Sequence, residues 1–133
     1  MIEINNTTNF KINQKLIKKI AEKFLQSRGL TKQDLSIAFI GDAKMRRLNS
    51  QYRKKNKTTD VLSFSGEDDF LGEILINPAQ IKRQAKENNN SFQAELIFIL
   101  VHGLLHLAGY DDKTEKDRLR MIRLGKAFIK RAE

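Results

Sequence analysis

The sequence contains no cysteine, which excludes disulfide bonds, thiolate zinc sites and cysteine nucleophiles at the outset. No segment repeats at intervals of about 20–50 residues, so a solenoid or propeller is not expected. Low-complexity tracts are also missing; the polar runs "RRLNSQYRKKNKTTD" and "KENNNS" read as loop-bearing segments of one domain, residues 1–133. Long apolar runs are scarce. The strongest, Leu96 to Ala108, is too short to cross a bilayer and suits a buried helix. The opening "MIEINNTTNF" lacks the charged and apolar regions of a signal peptide. A cytoplasmic protein with no membrane segment is the expectation. Histidine is nearly absent, with two in 133 residues.

What is present in excess is positive charge. Lys and Arg total 25 against 16 acidic residues, a formal net charge of +9. Such a balance favours a polyanionic partner, either nucleic acid or an anionic surface. Apolar residues at 40% and charged residues at 31% are a globular balance.

Hydrophobic periodicity outlines the elements. "MIEIN" predicts a short strand. From Asn13, a helix is predicted by Leu16, Ile17, Ile20, Ala21, Phe24 and Leu25, with Gly29 as its stop. "DLSIAFIG" alternates as a strand, and Asp42 is placed to cap a helix whose Met45, Leu48 and Tyr52 share a face. "DVLSFSG" and "LGEILIN" predict two strands around the acidic turn "GEDD". Asn77-Pro78 starts a helix to about Glu87, because proline at the first helical position loses no needed hydrogen bond. Ser91 caps the apolar helix, Gly109 ends it, and Thr114 caps a final helix. The order is β-α-β-α-β-β-α-α-α. It implies an α+β fold, with a small mixed sheet of about four strands packed with about five helices. The pattern does not yield the strand order.

Both histidines lie on the apolar helix in "HGLLHLAGYDD". His102 and His106 are one turn apart and point the same way, since each residue advances about 100°. Two imidazoles so held can share a metal ion; a third ligand must come from elsewhere. Gly109 can take the left-handed conformation that turns a chain back at a helix end, and so return Asp112 to the open side of the pair. The neighbouring Asp111 is a second candidate. H-x-x-x-H-x-x-G-x-x-D has the spacing of zincin-type hydrolases. Zincin proteases, however, carry a glutamate general base directly after the first histidine. That position is Gly103, which disfavours peptide hydrolysis.

These residues resemble a known family. "HGLLHLAGYDD" is similar to the H-G-x-L-H-L-x-G-Y-D-H signature of the YbeY family, bacterial rRNA maturation factors regarded as metal-dependent endoribonucleases. "LNSQYRKKNKTTDVLSFS" resembles the family's L-N-x-x-Y-R … T-D-V-L-S-F segment, and "LGEILI" its L-G-D-I-x-I strand. The matching blocks run from Leu48 to Asp112. The resemblance implies a zinc ion held at His102, His106 and Asp112. It further implies cleavage of single-stranded RNA, in 16S rRNA maturation and ribosome quality control on the small subunit. The family's arginine falls on Arg53, expected at the scissile phosphate. Two departures accompany it: Asp112 stands where the family has histidine, and the last helix is basic where members are commonly acidic.

The first departure has a physical consequence. Three imidazoles around a divalent ion leave a charge of +2; replacing one by a carboxylate leaves +1, so bound water is less acidified. A carboxylate also suits harder metals, so Fe2+ or Ni2+ stand beside Zn2+ as candidates. For the RNA surface, Arg46, Arg47, Arg53, Lys54, Lys55 and Lys57 crowd the second helix and the loop after it. Arg120 and Arg123 lie with Lys116 and Lys130 along one face of the last helix. Core packing is the expected role of Tyr52 and Phe64, with base stacking the alternative. Two rival functions are a non-catalytic rRNA-binding assembly factor, with a structural metal or none, and a metalloprotease.

Overall fold

The computed structural model describes residues 1–132. Nine elements follow one another: β1 (Ile2–Asn6), α1 (Gln14–Ser27), β2 (Asp34–Phe39), α2 (Asp42–Arg53), β3 (Val61–Ser65), β4 (Phe70–Ile76), α3 (Pro78–Glu87), α4 (Phe92–Leu107) and α5 (Glu115–Ala132). The α+β class and the element order are those expected from periodicity. The sheet order is β1-β2-β4-β3. β1 pairs with β2, and β2 with β4, in parallel; β3 runs antiparallel to β4 and forms an edge.

Alternation along the strands sends residues to two different cores. Leu35, Ile37 and Phe39 of β2, with Ile74 and Ile76 of β4, join one cluster with Ile17 and Phe24 of α1 and Leu100 and Leu104 of α4. Leu62 and Leu75 turn to the other side and join Ile40 and Met45. So α2 covers one face of the sheet, while α1 and α4 cover the other. Burying each such side chain contributes about 1.5–3 kcal/mol relative to exposure, which makes α4, apolar nearly all round, the central support.

Capping residues set the helix limits. Asn13, Ser91 and Thr114 accept hydrogen bonds from the backbone N–H groups of Leu16, Ala94 and Asp117, at 3.2, 3.1 and 3.0 Å. Gly29 has φ +67°, and the Leu30 N–H returns to the Leu25 carbonyl at 2.8 Å, closing α1. Asp42 corrects the expectation from sequence. It lies inside α2, behind Gly41, and caps nothing. Its carboxylate instead accepts from Asn77 Nδ2 at 2.7 Å and from Arg83 at 2.8 and 3.1 Å, tying the start of α2 to α3.

Candidate metal centre and cleft

The site begins with α4. Its buried flank packs against the sheet so closely that a Cβ on Gly103 would come within 3.0 Å of Ile74 Cγ2 and 3.2 Å of Ser63 Oγ. Glycine there has a packing reason as well as a chemical one: the position faces the sheet and has no room for a catalytic glutamate. His102 and His106, on the adjoining stripe, keep part of their rings exposed. Their ring centroids are 4.9 Å apart, and Phe98, one turn earlier, stacks on His102 at 6.4 Å.

Gly109 then reverses the chain. Its φ is +105°, the Gly109 N–H bonds the His106 carbonyl at 3.0 Å, and the Tyr110 N–H bonds the Leu105 carbonyl at 3.1 Å. This left-handed ending satisfies carbonyls that the last turn of α4 would leave open. Three residues on, Asp112 Oδ2 stands 3.5 Å from His102 Nε2 and 3.6 Å from His106 Nε2. Asp111 is used differently: its Oδ1 accepts from the Lys113 N–H within its own turn.

The three side chains form a group able to hold a metal ion, with ligand atoms within 4.8 Å of one another. The separations fit that role better than a hydrogen-bonded pair. Charge-assisted hydrogen bonds close to about 2.8 Å. Two donors each about 2.1 Å from a shared ion in tetrahedral geometry stand about 3.4 Å apart. Burial, and then the neighbouring His106, lower the His102 pKa, while Asp112 and Asp60 pull it upward. The net shift is downward, so the imidazole is neutral and offers its lone pair at physiological pH. The donor set, two imidazoles and a carboxylate, suits zinc and other divalent transition metals.

The group opens into a cleft of about 560 Å³. One wall is the edge strand β3, represented by Val61, Ser63 and Ser65; Arg53, at the end of α2, and Arg118, on α5, also line it. Arg53 and the two histidines, distant in sequence, thus meet in one concavity. A buried side chain supports the segment after Arg53. Asn49 is 1% exposed, its Nδ2 donates to the Lys57 carbonyl at 2.8 Å, and the N–H groups of Lys54 and Lys55 return to its own carbonyl. Lys54 adopts φ +56° to make that turn.

The other basic residues named from sequence lie elsewhere. Arg46, Arg47, Lys54, Lys55 and Lys57 are exposed on α2 and its following loop, with Arg46 Nε bonded to Asn56 Oδ1 at 2.9 Å. Arg120 and Arg123 are exposed on α5, Arg120 leaning over Tyr110. Tyr52 departs from the core role expected of it: it is 58% exposed and meets Phe64 edge-on at 5.1 Å. Sequence reasoning missed Asp60, Phe98 and Arg118 as cleft residues. Asp60 sits within the quoted "TDVLSF" block, which was the available signal; nothing in the sequence marked Arg118 apart from other helix charges.

Comparison with known proteins gives a consistent picture. The family model described as "Endoribonuclease YbeY" matches residues 2–133. A protein of that name from Thermodesulfovibrio yellowstonii is 47% identical over 95 residues, covering 67% of this chain and 60% of its own length. Another of that name, from Finegoldia magna, is 36% identical over 141 residues, covering 98% of this chain and 92% of the relative. The solution structure of TM1509 from Thermotoga maritima matches with a TM-score of 0.71 at 29% identity, covering 99% of this chain and 89% of that one.

Proposed function

Since the chain belongs to the YbeY endoribonuclease family, we propose that it cleaves single-stranded RNA in a metal-dependent reaction and serves in maturing 16S rRNA and in ribosome quality control. The observation that carries this reading is the convergence of His102, His106 and Asp112 in a cleft that Arg53 also lines. Zn2+ is the ion we assign, with Fe2+ or Ni2+ as the carboxylate-tolerant substitutes. Held there, a divalent ion supplies a Lewis acid that acidifies water and polarises a phosphoryl oxygen.

The chain's own residues do the rest. His102 and His106 present ring nitrogens from a rigid helix, so the site costs little reorganisation when it fills. Asp112 adds a negative charge, which lowers the cation's pull on a phosphodiester. Arg53 offsets this: its planar guanidinium can fork onto two phosphate oxygens and hold the developing charge. The open edge of β3 offers unpaired peptide groups and the Ser65 hydroxyl to a strand laid along the cleft, while the Ser63 hydroxyl donates to the Gly103 carbonyl of α4 at 3.4 Å. The exposed basic residues at 46, 47, 54, 55 and 57 extend the attraction beyond it, and association should weaken as salt rises. No helix in the described residues is long and apolar enough to cross a membrane. The cytoplasm, with the small ribosomal subunit as partner, is the setting we propose.

The test compares wild type with His102→Ala on a single-stranded RNA, with metal content measured on the same samples. Cleavage and about one metal ion per chain, both lost in the variant, support the reading. Equal RNA binding with no cleavage by either protein would favour a non-catalytic assembly factor.

A further inference from the structure

A second cluster lies beside the metal cleft, on the segment that returns Asp112 to the histidines. Arg28, at the end of α1, donates from its guanidinium to the Tyr110 hydroxyl at 3.0 Å and sits 5.3 Å from the centre of the same ring. Arg120 of α5 approaches that ring as well, with its Cζ 5.4 Å from the centroid. A concavity of about 400 Å³ is lined by both arginines, Tyr110 and Gly109. Among the described residues, neither guanidinium is paired with a carboxylate.

Two cations gathered on one tyrosine repel each other. The ring's electron-rich face offsets only part of that repulsion, about 0.5–1 kcal/mol for each exposed contact. An anion in the concavity that both arginines line would offset it. Arginine forks suit phosphate oxygens in particular. The position ties the cluster to the metal cleft: Tyr110 lies two residues before Asp112, so one short turn carries both.

We propose that Arg28, Tyr110 and Arg120 form a second phosphate-binding site, which holds the backbone of the RNA within a few nucleotides of the bond in the metal cleft. The inference rests on the RNA reading above. The site binds rather than reacts: it fixes where along a strand the scissile phosphate falls, and it does so through charge without reading bases.

The test measures binding of a single-stranded RNA 12-mer by metal-free wild type, Arg28→Gln, Arg120→Gln and the double variant over a range of salt. Cleavage by the metal-loaded proteins is followed in parallel. All four should melt cooperatively and take up zinc equally, since no metal ligand is changed. The double variant should bind about fivefold more weakly or worse, and its salt dependence should flatten by about 1.4 in log–log slope, the value for two lost contacts on a single strand. If wild type binds and cleaves while the double variant keeps its affinity and slope, the second site is wrong and the nuclease reading stands. Loss of zinc uptake in the double variant would also overturn the site, because the cluster would then be shaping the Asp112 turn. If metal-loaded wild type neither binds nor cleaves the RNA, both readings fall.

Discussion

At the level of single residues, Asp112 differs from His102 and His106 in carrying a charge of its own. With a divalent ion the three ligands leave a site of charge +1, and the carboxylate contributes both a bond and Coulomb attraction. Replacing it by its near-isosteric amide, Asp112→Asn, removes that charge while leaving the Gly109 turn unchanged. Zinc affinity should fall at least about tenfold, read by competition with a chromogenic chelator; unchanged affinity would take Asp112 out of the site. Asp42 shows the opposite use of a carboxylate, as a tie between elements. Hydrogen bonds from Arg83 above all, then from Asn77, hold its pKa at about 2, below 3.8, although partial burial opposes them. A folded-state pKa below the unfolded value stabilises the protein fully above pH 3.8 and less as the pH falls towards 2. Both partners are nearly half exposed, so the pair contributes under about 1 kcal/mol. The melting-temperature gap between wild type and Arg83→Gln should therefore be small at neutral pH and close further between about pH 4 and 2.

At the level of elements, the cleft depends on two chain reversals and an exposed strand edge. Gly109 ends α4 with φ +105°, Lys54 ends α2 with φ +56°, and β3 lies at the sheet edge where its outer side faces the cleft. Asn49 anchors the second reversal. Asn49→Ala removes the bond to the Lys57 carbonyl and leaves a small void; it should cost about 1–2 kcal/mol in urea unfolding and loosen residues 54–57 to protease. An unchanged midpoint and cutting pattern would show that the loop holds itself. These devices were unequally legible in the sequence. Glycine at a helix end and histidines one turn apart are local signals, so the His102–His106 stripe and the turn after it could be read directly. Asp42 looked like a cap because it precedes an amphipathic run, but its partners Asn77 and Arg83 are remote in sequence and only tertiary contact reveals them. The sheet order was closed to periodicity for the same reason, since β2 and β4 are neighbours across an intervening helix and strand. Arg118 reached the cleft through the placement of α5, which no spacing rule encodes.

At the level of the whole molecule, a basic chain of net charge +9 carries a His-His-Asp group able to hold a metal ion in a cleft walled by β3, α2, α4 and α5. The sheet and α4 form the rigid part, because their inward side chains are buried in the two clusters that flank the sheet. The cations are distributed outside it, on α1, α2 and the loop after it, α3 and α5. The family places this arrangement among endoribonucleases, and the His102–His106–Asp112 group could hold the metal ion on which the proposed reaction depends. One measurement tests that link most directly: cleavage of a single-stranded RNA by purified protein, before chelation, after chelation to verified metal depletion, and after return of about one equivalent of zinc. The account predicts cleavage that disappears on depletion and returns with the ion. Undiminished cleavage by the metal-free protein, or none by the zinc-loaded protein, would contradict it.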